Sequence, residues 1–121
     1  MRAMAAGALA LLLSGTAFAA AAPLRKLSDR DLVRSAVSKF DARAMMGRRI
    51  VLGTHGGTRV VADFVCGDVC PAYTKRIIHY DVPPERCTSV HGKVVSQLVP
   101  RGPAVIGQPF CEPPVLAGKQ H

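Results

Sequence analysis

Tryptophan is absent from this 121-residue chain, and only four Phe and two Tyr are present. A core built from it lacks large aromatic anchors and has to be filled with Val, Ile, Leu and Ala. Acidic residues are also scarce, eight Asp and Glu against sixteen Lys and Arg. No aromatic residues interleave the basic ones, which excludes the stacking platform of a single-strand nucleic-acid binder. There is no C-x-x-C at a helix start, which excludes the usual redox pair. No Ser or Cys nucleophile is placed by a motif, and no cofactor is implied.

The chain opens with Arg2 followed by small and apolar residues, centred on Leu9, Leu11, Leu12 and Leu13. This run is too short and alanine-rich for a membrane anchor. Ala17-Phe18-Ala19 supplies the small-x-small pattern of a signal-peptidase site. The expectation is a signal peptide over residues 1–22 and a single small exported domain over 23–121, periplasmic or secreted. No transmembrane segment is then expected after signal removal. About 100 residues make one domain with a thin stability margin.

An oxidising compartment turns Cys66, Cys70, Cys87 and Cys111 into expected disulfide partners. A hairpin turn between Cys66 and Cys70 would pair those two and leave Cys87 to Cys111. Interleaved pairings remain open at this stage. Cys66-x3-Cys70 and Cys87-x3-His91 also have spacings a tetrahedral Zn²⁺ site tolerates, so Cys66, Cys70, Cys87 and His91 form an alternative ligand set. That set strands Cys111. Met45 and Met46 are soft enough for copper, but packing at a helix end explains them better.

The basic excess is concentrated in residues 25–49, which hold eight Lys and Arg against three Asp. Such a segment suits an acidic envelope partner: anionic lipid, cell-wall polymer or acidic protein. The expected contact residues are Arg30, Arg34, Lys39 and Arg48.

Ser28 with Asp31 resembles a capping box, and Val33, Ala36, Val37, Phe40 and Ala44 fall on one helical face. This spacing predicts one amphipathic helix over 29–46, packing through Val33, Val37 and Phe40. Strands are predicted at 50–52, 59–65, 75–82 and 93–99. Residues 53–58 read as a glycine-rich turn rather than a phosphate cradle, because a strand follows and not a helix. Ala104-Val105-Ile106 pairs briefly at an edge, and the tail from Gly107 is irregular. The fold class is α+β: one N-terminal amphipathic helix followed by a small antiparallel sheet of about four strands, disulfide-stabilised.

His79 shares a strand face with Asp81, the pattern of an oriented base, but no nucleophile is placed beside it and a surface polar pair explains the pattern better. His55 and His121 carry no assigned role. The sequence thus points to a small exported binding or accessory protein more than to an enzyme. A metal-binding protein or a small envelope enzyme is the alternative.

Overall fold

A computed structural model describes residues 23–66 and 74–120. The expected signal peptide and Cys70 lie outside the described residues.

Helix α1 spans Asp29–Val37. Ser28 Oγ accepts from the Asp31 amide at 3.1 Å and Asp31 Oδ2 accepts from the Ser28 amide at 2.9 Å, which completes the capping box. The hydrogen bonds from Ser28 hold the Asp31 carboxyl below its ordinary value. The helix then stops nine residues before its predicted end. Ser38 leaves helical geometry, with its Oγ donating to the Ser35 carbonyl. Asp41 starts a second, four-residue helix, α2 (Ala42–Met45), by accepting from the Arg43 and Ala44 amides. Ser and Asp offer the backbone these local alternatives to a continuous helix. The break frees Phe40 to meet Phe64 edge-on, with ring centroids 5.0 Å apart.

Strands β1 (Arg49–His55), β2 (Thr58–Val65) and β3 (Lys75–Tyr80) form an antiparallel sheet in the order β1-β2-β3. The β1–β2 turn is only Gly56-Gly57, with φ of +60° and +83°, the geometry that glycine gives a two-residue hairpin. Residues 53–55, predicted as turn, are strand instead. Their extended form is fixed from outside: Thr54 exchanges hydrogen bonds with Arg25 and Leu27, at 2.8 and 2.7 Å.

Two 3-10 turns, Pro84–Arg86 and Thr88–Val90, lead into β4 (Lys93–Arg101). This strand pairs with β5 (Ala104–Glu112) in a separate two-stranded ribbon. The prediction of one sheet of about four strands is therefore corrected, among the described residues, to five strands in two sheets, and residues 107–112 of the tail are strand. Pro100 lies inside β4 and Pro109 inside β5. Pairs Ser96–Pro109 and Pro100–Val105 fall in the same alternate set along the ribbon. Both proline nitrogens can thus face outward, where a ribbon needs no amide donor. The α+β class and the antiparallel pairing stand.

One face of the three-stranded sheet presents Val60, Ala62, Phe64, Ile78 and Tyr80 to the main core, joined by Leu27, Leu32 and Leu116. The opposite face sets Ile77 and Val65 against Val99 and Phe110 of the ribbon. Between these layers Glu112 is fully buried, and its Oε2 accepts from Gln97 Nε2 at 2.7 Å. Leu32, 0 % exposed, is the residue through which α1 enters the core, with Ala36 one turn on. Val33 and Val37 were predicted to be the packing face, but Val37 is 74 % exposed. On so short a helix the Leu32–Ala36 stripe alone meets the sheet, and the Val33–Val37 stripe is rotated about 100° away from it.

Candidate functional site

The exposed stripe of α1 borders a groove of about 770 Å³. Val33, Ala36 and Val37 form one wall and Val115 with Leu116 another. The β3 edge, from Thr74 to Arg76, runs along the groove, and Lys119 and Gln120 close its end. The apolar wall is the stripe of α1 that points away from the Leu32–Ala36 contact with the core.

Arg76 is built into this site. Its guanidinium lies 4.9 Å from the Phe40 ring centroid and donates to the Ala36 carbonyl and to Ser38 Oγ. It thereby satisfies an open carbonyl at the α1 C-terminus, where the helix dipole favours a cation. Burial pulls the Arg76 pKa below its ordinary value, though arginine stays charged. Lys75 Nζ donates to the Leu98 carbonyl at 3.1 Å. Among the described residues, Lys75, Arg76 and Lys119 have no carboxylate partner within salt-bridge distance, and no acidic side chain lines the groove. Thr74 Oγ1, also in the lining, is buried without a hydrogen-bond partner.

A second polar cluster lies on the ribbon side of the sheet. Arg49 grips Asp63 with Nε and Nη2, and its Nη1 reaches Asp81 Oδ1 at 3.3 Å. Asp63 Oδ2 is 2.7 Å from His79 Nε2, while His79 Nδ1 is 2.9 Å from the Tyr80 carbonyl. Both ring nitrogens of His79 are thus engaged, one by a backbone carbonyl and one by a carboxylate. Burial pushes the Asp63 carboxyl up, but the hydrogen bonds and charges of Arg49 and His79 outweigh this and hold it below its ordinary value. His79 is 6 % exposed, not a surface residue, and its partner is Asp63 rather than the predicted Asp81. With both ring nitrogens engaged, it offers no lone pair to a substrate.

His55, to which the sequence assigned nothing, links α1 to the sheet. Its Nε2 is 2.8 Å from Asp29 Oδ1 and its Nδ1 is 2.8 Å from Tyr80 Oη. The arrangement has the shape of an acid–base–hydroxyl relay. However, Tyr80 is 2 % exposed, and burial, with the Asp29 charge second, raises its pKa. Its hydroxyl is neither reachable nor activated, so the relay acts as a staple.

The four predicted contact residues do not form one face. Arg30 and Arg34 are exposed on α1, Arg34 lying 3.9 Å from Asp31. Lys39 sits in the break between helices, and Arg48 lies across the sheet beside Arg49, Asp63 and Arg101. Cys87 and Cys111 form a disulfide with Cα atoms 5.4 Å apart, which excludes the interleaved pairings. Cys66 is also disulfide-bonded, and its expected pairing with Cys70 falls outside the described residues. With its sulfur bonded to Cys111, Cys87 has no thiolate to give the alternative zinc set, and His91 is exposed on a left-handed turn with φ 60°. Among the described residues no group of three or more His, Cys, Asp or Glu is arranged to hold a metal ion. The groove residues Thr74, Lys119 and Gln120 were not singled out from the sequence. Thr74 and Gln120 carry no periodic or motif signal, and their convergence depends on the path of the tail.

No protein-family model matches this chain, and neither does any curated protein or solved structure.

Proposed function

We propose that this chain is a small exported, disulfide-stabilised binding module that captures an acidic partner in the groove between α1 and the β3 edge. The observation that carries the reading is the groove lining: apolar walls with Lys75, Arg76 and Lys119 and, among the described residues, no acidic side chain. Cations without carboxylate partners beside an apolar wall favour a ligand that brings its own negative charge and apolar surface. The excess of basic residues over the whole chain adds longer-range attraction to the same partner. Export is supported by the Arg2-to-Ala19 signal pattern and by the Cys87–Cys111 bridge, which persists best in an oxidising compartment. Among the described residues no helix is long and apolar enough to cross a membrane.

A binding role also fits the two histidine clusters better than catalysis does. His79 has both ring nitrogens engaged, and the Tyr80 hydroxyl is buried beneath His55.

The test is calorimetric titration of the purified exported protein with poly-glutamate and with phosphatidylglycerol vesicles, at low and high salt. Exposed charge contacts are screened as the Debye length falls from about 10 Å at 0.1 M to about 3 Å at 1 M. Binding to an acidic probe should weaken at least tenfold across that range and should drop further in a Lys75→Gln, Lys119→Gln variant. Binding that ignores both salt and these substitutions, or no binding to any acidic probe, overturns the proposal.

A further inference from the structure

The tail of the chain already imitates a neighbouring strand. The Ile78 amide donates to Gln120 Oε1 at 2.8 Å, and Gln120 Nε2 donates to the Ile78 carbonyl at 2.8 Å. One side-chain amide thus supplies the donor and the acceptor that a peptide group of an added strand would supply. These bonds show that Ile78 turns its backbone outward from the sheet.

Backbone direction alternates along an edge strand, so Arg76 turns its N–H and C=O the same way two residues further on. Neither group has a hydrogen bond among the described residues outside the strand pairing itself. Thr74 follows in the same set, with its buried and unpartnered Oγ1 in the groove. The opposite edge of the sheet differs: Thr54 of β1 is occupied by Arg25 and Leu27.

Resting on the acidic-partner reading above, we infer that the β3 edge receives an extended segment of an acidic protein, which pairs along Thr74–Ile77 as a fourth strand. Its side-chain pattern follows from the pleat. Residues opposite Arg76 share that residue's face and meet Ala36, Val37 and Leu116, so they are apolar. The residue opposite Lys75 lies on the other face, beside the Lys75 cation, so it is acidic. The ligand is therefore an alternating apolar–acidic strand, short because the Gln120 amide occupies the edge at Ile78. A lipid chain would fill the apolar wall and leave the Arg76 backbone unpaired. A phosphate-rich polymer would meet the lysines and leave the apolar wall wet. An extended peptide satisfies both, by strand addition.

The experiment uses the ¹⁵N-labelled exported protein and three capped hexapeptides. The first is Val-Glu-Val-Glu-Val-Glu. The second has the same composition in blocks, Val-Val-Val-Glu-Glu-Glu. The third is the alternating peptide N-methylated at its valines, which removes the amides aimed at the Arg76 carbonyl. At saturation with the alternating peptide, hydrogen exchange at the Arg76 amide should slow at least tenfold. The block and N-methylated peptides should bind about tenfold more weakly, the loss expected for one or two net hydrogen bonds. Val37→Asp, at a largely exposed position that leaves the core intact, should weaken the alternating peptide by a similar factor. Equal binding of all three peptides with the same salt sensitivity would discard strand addition and leave the acidic-partner reading standing. An unprotected Arg76 amide at saturation would do the same. Absence of salt-sensitive binding to any of them overturns both. Binding to anionic vesicles alone overturns the peptide in favour of a lipid surface.

Discussion

Arg49 and Asp63 meet in a two-pronged pair, Nε to Oδ1 at 2.6 Å and Nη2 to Oδ2 at 2.9 Å, across the hydrogen-bonded strands β1 and β2. The residues are directly opposite in register, so the sheet itself fixes the fork geometry and little side-chain freedom is lost in forming it. Asp63 in turn fixes His79, and the three together with Asp81 bind the ribbon-facing side of the sheet into one network.

The pH dependence of stability follows from Asp63. Its folded-state pKa lies below the ordinary 3.8, so the unfolded chain takes up the proton first as pH falls. The stabilisation is fully present above the ordinary carboxylate value and is lost as pH drops through the lower folded value. Asp63→Asn should cost about 1–3 kcal/mol at pH 7, because Arg49 and His79 lose an ionised acceptor. The difference between the two proteins should shrink below pH 4. Urea unfolding at pH 7, 5 and 3 measures this, and a constant difference across all three would count against the network.

The packing of α1 is tested by two truncations on one helix. Leu32→Ala removes a fully buried side chain and should cost about 2–5 kcal/mol. Val37→Ala, at a position 74 % exposed, should change stability by no more than about 0.5 kcal/mol. Equal losses would mean that α1 packs through the other stripe.

Gly92 has no room for a side chain. A Cβ there would collide with Sγ of Cys111 and crowd Sγ of Cys87 and the Tyr80 ring. Gly92→Ala should therefore destabilise by about 1–3 kcal/mol, the cost of overpacking a filled site. Replacing Cys87 and Cys111 together by Ser should cost about 3 kcal/mol, since the bridge closes a loop with a sequence separation of 24. Thermal unfolding of the two variants against the parent reads both effects.

Local signals in the sequence were read well where the physics is local. The Ser28–Asp31 box and the β-branched runs of β2 and β3 needed only neighbours in the chain. The helix end differs from the periodicity because apolar spacing continues past Ser38 while side-chain bonds to the backbone end the helix there. The strand character of the tail around Pro109 is not legible locally, because the meaning of a strand proline depends on whether a second neighbour strand exists. The candidate site was the least legible part. Its lysines were visible as charge, but Gln120 meets Ile78 from 42 residues away, and Asp63 meets His79 only through strand pairing. Exposure of Val33 and Val37, which makes the groove apolar, follows from Leu32 and Ala36 being the stripe that packs, a choice the periodicity left open.

Pro100 and Pro109 have a further consequence for how copies of the chain meet at high concentration. A two-stranded ribbon exposes two open margins, and this one also exposes Leu98 and Val105. Such a margin is a template for head-on stacking of identical chains into growing assemblies. Each margin of this ribbon carries a proline, whose ring replaces an outward amide and obstructs an incoming backbone. The described margin of β3 carries none. Proline placement thus guards the ribbon against self-assembly and leaves β3 as the margin at which a foreign strand can be received.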